Sequence, residues 1–221
     1  MATSGSRDFT LDVADIIEEA YERCGLELRT GYEADTARRS LNLMFADWAN
    51  RGVNLWTVKL GTLSLVSGTA TYALSDTIAD LLEVVVRRSG TDFEVERISR
   101  GEYHNQPNKT TTGRPSSFYF NRQTTPEINL WPTPENNTDE LRYYYVQRIE
   151  DADSLVNDVD APFRFLPCMA AGLAYYLAVK RSPDRVQLLK SIYEEEFQRA
   201  ADEDEDRVPL KLTPSISYLR V

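Results

Sequence analysis

The chain has 221 residues, enough for one large domain or two small ones around a real hydrophobic core. Hydrophobic residues make up 42% and charged residues 27%, the balance of a globular protein rather than a disordered one. A net charge of −10 opposes tight general binding to DNA or RNA phosphates, and an acidic surface repels a passing nucleic-acid backbone rather than gripping it. No apolar run approaches the roughly 20 residues that span a bilayer, so no membrane partner is expected.

Met1 to Phe9 lacks the basic-then-apolar pattern of a signal peptide. The two cysteines, Cys24 and Cys168, sit on apolar helix faces. They read as buried, reduced thiols of a cytosolic product, not as a disulfide framework. The Asn-x-Thr sequons at Asn108 and Asn136 are then chance matches.

Thr10 to Cys24 is predicted to be helical: Val13, Ile16, Ala20 and Cys24 form one stripe, and Gly25 stops it. After a turn over Leu26 to Gly31, a second helix is predicted to run to about Asn50, with Ala34, Ala37, Leu41, Phe45 and Trp48 on one face and Gly52 at its end. From Leu55 the period becomes alternating. Trp56, Val58 and Leu60 alternate, Gly61-Thr62 breaks the phase and suggests a bulge, and Leu63 and Leu65 continue. Ser67-Gly68 reads as a hairpin turn into a return strand with Tyr72 and Leu74. Asp76 to Leu82 reads as a helical turn, Glu83 to Arg88 as a strand, and Ser89-Gly90-Thr91-Asp92 as the turn of a hairpin with Phe93 to Ile98.

Ser99 should cap one helical turn to Tyr103, and Asn105 to Pro115 is a polar, exposed loop. Phe118 to Arg122, Glu127 to Trp131 and Leu141 to Gln147 are further strands. About seven strands in hairpin order favour an antiparallel sandwich or small barrel. Helical spacing returns with Phe165, Met169, Leu173 and Tyr176, then Val186, Leu189, Tyr193 and Phe197. Between them Ser182-Pro183-Asp184 is a joint, with Ser182 placed to act as N-cap, so the two helices fold back antiparallel.

The expected fold class is therefore α+β. An antiparallel bundle of about four helices (residues 10–54 and 160–206) carries an inserted β module (55–150) and an extended C-terminal arm (207–221). The acidic run Asp202 to Asp206 opposes a helix dipole, so it should end the last helix early or meet a basic surface on a partner. The arm alternates apolar and polar residues through Leu210, Leu212, Ile216 and Tyr218, with Leu219 beside them, and Pro209 and Pro214 keep it from being helical.

Chemistry is sparse. The single histidine, His104, cannot build a multi-histidine zinc site, and phosphate-loop, dinucleotide, nucleophile-elbow and zincin patterns are absent from the sequence. Asp202, Asp204 and Asp206 match the first calcium-loop spacings, but Arg207 replaces the required glycine and Thr213 the bidentate acid. Asp151, Asp153, Asp158 and Asp160 offer paired carboxylates, though acids before a helix more often serve turns and caps. No catalytic residue, cofactor or metal is expected.

Several motifs resemble those of tailed-phage head-to-tail adaptor proteins. They are Ser40-Leu41-Asn42 through Trp48-Ala49-Asn50-Arg51-Gly52-Val53-Asn54-Leu55-Trp56, Arg97-Ile98-Ser99-Arg100 with Tyr103, and Gly113-Arg114-Pro115. Leu130-Trp131-Pro132-Thr133-Pro134, Tyr143-Tyr144-Tyr145 and Gly172-Leu173-Ala174-Tyr175-Tyr176-Leu177-Ala178 complete the set. The order and spacing of these pieces cover nearly all of Thr10 to Arg207. The resemblance implies a virion protein assembled in the bacterial host cytoplasm, a homo-oligomeric ring of about twelve copies. It also implies two protein partners, the portal and the tail nozzle, and a channel through which genomic DNA passes.

The arm residues Leu210, Leu212, Ile216, Tyr218 and Leu219 are then expected to bind the portal, and Tyr143, Tyr145 and Arg114 to face neighbouring copies or the tail. Two other classes compete. One is a tail-borne cell-wall hydrolase using Asp158 and Asp160; the other is a carbohydrate-binding module built on the aromatic strand.

Overall fold

Apolar residues recurring every three or four positions make helices that must share a core, and four do so in the computed structural model, which describes residues 5, 11–52 and 55–204. Helix α1 is Val13–Arg23, capped by Asp12, whose Oδ1 accepts the Asp15 N–H at 2.8 Å. Helix α2 is Gly31–Arg51. Thr30 and Glu33 form a reciprocal capping box at its start, and Gly52 closes it with φ of 79°, the left-handed conformation glycine adopts most readily. A short helix α3, Arg100–His104, has the same box built from Ser99 and Glu102. Helices α4, Leu166–Arg181, and α5, Val186–Glu203, each follow a 3-10 turn.

Helix α4 is apolar nearly all round and sits among α1, α2 and α5. Ala170, Ala171, Gly172 and Ala174 keep its surface low, so neighbours approach closely. At its end Ser182 does not cap the following turn. Its hydroxyl instead donates to the Cys24 carbonyl at 3.3 Å, tying the second hairpin to the first.

The strands are β1 Val58–Ser64, β2 Thr71–Ala73, β3 Ile78–Arg88, β4 Thr91–Glu94 and β5 Glu96–Arg97. There follow β6 Thr112–Gly113, β7 Ser117–Asn121, β8 Glu127–Trp131, β9 Thr133–Pro134 and β10 Glu140–Gln147. Two four-stranded sheets, ordered β1-β10-β3-β4 and β2-β8-β7-β5, contribute to one apolar cluster. Leu81, Val86 and Leu141 enter it from the first, Phe118, Ile128 and Leu130 from the second. Pairing is antiparallel except for the short parallel contacts β5 with β7 and β6 with β9.

Three further local readings are corrected. Asp76 to Leu82 is not a helical turn: β3 already begins at Ile78, because Ile78 and Leu81 are buried opposite Gln147 and Tyr145 of β10. Ser67-Gly68 does not close a hairpin; it carries the chain from the first sheet to the second. Strand β1 runs against β10 without a bulge. Two register shifts lie on the other side of β10, against β3, one after Tyr143 and one after Val146. Gly61 serves a different purpose, since a Cβ there would stand 2.5 Å from the Tyr143 ring that covers it.

Candidate functional site

The motif residues of the helical half hold the interior together. Trp48 is fully buried, donates its indole N–H to the Tyr193 hydroxyl at 2.9 Å, and packs against Phe45, Phe165 and Phe197. Arg51 lies 4.6 Å from the Phe197 ring centroid and pairs with Glu194 at 2.8 Å. Burial pushes the Tyr193 hydroxyl well above the ordinary phenol range, so it stays a neutral hydrogen-bonding group. Gly172 leaves room for Met44 and Tyr193: a Cβ would meet them at 2.5 and 2.7 Å. Trp56 donates to the Asp160 carbonyl at 3.0 Å and packs on Phe165, closing the seam where the chain leaves the helices.

In the β half, two motifs distant in sequence are the two sides of one pairing. Thr112–Gly113, ahead of Arg114-Pro115, runs alongside Thr133–Pro134. The polar loop is pinned by Trp131, whose indole donates to the Asn108 carbonyl at 3.0 Å, and by Thr133, which donates to the Lys109 carbonyl at 3.0 Å. Arg97 reaches the Leu81 carbonyl and the Asp80 carboxylate, each at 3.0 Å, bridging the two sheets. Arg114 is exposed and stacks 3.7 Å from the Phe93 ring centroid, an accessible cation held in one orientation.

Among the three consecutive tyrosines the strand pleat decides the roles. Tyr143 is buried beneath Gly61, and burial together with neighbouring Tyr145 raises its pKa; its ring belongs to the interior. Tyr145 is half-buried against the same cluster. Tyr144 is the outward one, 46% exposed, directly across from Leu60 at 54%, with Leu82 of β3 at 47% on the next strand. Leu141 shares the parity of Tyr143, and that alternation is the signal by which the outward ring could have been chosen.

Of the four acids before α4, the side chains of Asp153 and Asp160 help to build a loop, and Asp158 forms a backbone bridge with Asp12. Asn42 clamps it through both its amide groups, donating to the Ala152 carbonyl at 3.3 Å and accepting the Ala152 N–H at 2.8 Å. Asp153 accepts from Asn157 at 2.6 Å, and Asp160 accepts the Glu150 N–H at 3.3 Å. The Leu155 and Asn157 carbonyls take the first two N–H groups of α1, each at 3.0 Å. Among the described residues no group of three or more His, Cys, Asp or Glu side chains could hold a metal ion. Both thiols are free and buried, and burial lifts the Cys168 pKa to about 12, so it stays protonated.

Within the acidic run expected to end the last helix early or to meet a partner's basic surface, Asp204 instead turns inward. It is buried, pairs with Arg164, and accepts the Leu55 N–H at 3.3 Å. Nothing local in the sequence signals this, since its cationic partner lies 40 residues upstream. A second ion pair absent from the sequence reading is Arg88, which grips buried Asp139 at 2.6 Å and Glu135 at 2.8 Å. The arm residues Leu210, Leu212, Ile216, Tyr218 and Leu219 lie outside the described residues.

The SU10 adaptor protein family profile matches residues 11–214, spanning both the helical and the β half. The chain belongs to that family. The adaptor is thus a structural phage head-to-tail protein, and its place is the virion, in association with other head and tail proteins. No curated protein matches it.

Proposed function

We propose that about twelve copies of the adaptor close into a ring beneath the portal, receive the tail nozzle, and leave a channel through which genomic DNA passes. The family match across both halves of the chain carries this reading. A net charge of −10 supports it, because a channel lined by such a surface lets DNA slide instead of holding it. The exposed row Leu60, Tyr144 and Leu82, with Arg114 and the accessible part of Tyr145, supplies apolar and cationic groups suited to neighbouring copies or the tail.

In this reading residues 10–54 and 160–206 form the portal-side bundle, and residues 55–150 form the tail-facing module. The arm, through Leu210, Leu212, Ile216, Tyr218 and Leu219, grips the portal. Subunits are made in the host cytoplasm and assemble there. Co-sedimentation of the purified chain with portal tests the reading: it should migrate with the portal, and deletion of Val208 to Val221 should weaken that attachment. A chain that stays free of the portal contradicts the proposal, and unchanged attachment after the deletion removes the arm from it.

A further inference from the structure

We infer that β1 is a receiving edge, and that in the unassembled chain it accepts a strand from the chain's own residues 215–221. Sheet edges are ordinarily protected by shortness, proline, bulges or charge. The terminal strands β2 and β5 are only three and two residues long, and terminal β4 carries Asp92 and Glu94. Among the described residues, strand β1 has none of these defences. It is seven residues long, pairs with β10 without a register break, lacks proline, and has Lys59 as its one charge. Its solvent-facing Leu60 begins the apolar row that Tyr144 and Leu82 continue.

The position where the described chain ends selects the occupant. Asp204 is fastened to the Leu55 N–H and to Arg164, so the remaining residues depart three positions ahead of β1. Ten residues, 205–214, can reach at most about 33 Å, more than the roughly 24 Å length of a seven-residue strand. The chain can therefore pass along β1, reverse at Pro214 and pair antiparallel through residues 215–221. That segment matches β1 in length and has no proline. Ile216 and Tyr218 share one face of it, and on the outer side of the sheet they would cover Leu60. The edge thus acts as a rest position from which the arm is released.

This inference goes beyond the ring reading, and its test uses the free chain without portal. Hydrogen exchange over Val58 to Ser64 is compared between the full chain and a chain ending at Asp206, with native mass recorded at the same concentration. Truncation should accelerate the protected β1 amides by about tenfold or more while the chain remains a monomer. Ser217→Pro, which removes a donor from the pairing segment, should reproduce the acceleration, and Ser217→Ala should not. Equal exchange in full and truncated chains overturns the inference. So does protection that appears only when the chain self-associates, which would assign the strand to a second copy.

Discussion

The two hydrophobic clusters of the adaptor are finished differently. Around α4 the largest buried groups are Trp48, Tyr21, Tyr193 and Phe165, and the polar handle of the tryptophan is satisfied inside by the Tyr193 hydroxyl. Between the sheets the interior is mostly aliphatic, with Phe118, Phe120 and Tyr143, while Leu60, Tyr144 and Leu82 stand open on the outer face nearby. The helical half buries its largest aromatic residues in its own interior and leaves Tyr32 and Phe163 exposed. The β half turns Tyr144 outward directly across from Leu60, so its exposed apolar groups adjoin on paired strands, the arrangement the proposed contact surface needs.

Overpacking α4 should give the largest effect. Gly172→Val puts a branched side chain where Met44 and Tyr193 already touch, and Tyr193 cannot yield without breaking its bond to Trp48. The expected loss is about 3 kcal/mol, read from the urea midpoint. Tyr193→Phe is subtler: the ring stays, but the Trp48 indole N–H loses its partner in a buried site. That should cost about 1–2 kcal/mol by the same measurement.

A pH series separates ion pairs from packing. Hydrogen bonds from Arg51 hold the Glu194 carboxyl below its ordinary value, against the opposing effect of burial. A depressed carboxylate stabilises the fold above its unfolded pKa of about 4.3, and that contribution is lost as pH falls through the lower folded value. The stability gap between wild type and Glu194→Gln should therefore narrow between about pH 5 and about pH 3; a gap independent of pH removes the pair from the account. The smallest stability effect belongs to the outer sheet face. Tyr144→Ser should change stability by no more than about 0.5 kcal/mol, yet weaken assembly on the portal. A large loss of stability there would erase the contrast between the two halves.

Helix positions were legible because periodicity and caps agree: Ala37, Leu41 and Trp48 are buried as their spacing requires, and Gly52 stops α2 where expected. The start of β3 was not, because Ile78, Leu81 and Leu82 also fit a helical repeat, and only pairing with β10 decides between the two. Ser67-Gly68 marks a turn correctly but cannot say which sheet receives the next strand. The proposed contact surface was half legible: a run of three tyrosines announces aromatic surplus, whereas the pleat turns Tyr143 inward and Tyr144 outward. Asp204 was illegible, since burial of one acid within an acidic run depends on Arg164 and the Leu55 N–H, both remote in sequence.

The central claim is that this surface closes a ring, and imaging by negative stain together with native mass of the adaptor, with and without portal, tests it most directly. The account predicts a closed ring of about twelve adaptor copies when portal is present, with Tyr144→Ser giving fewer complete rings. Isolated subunits scattered on the portal, or a portal left bare, would contradict it.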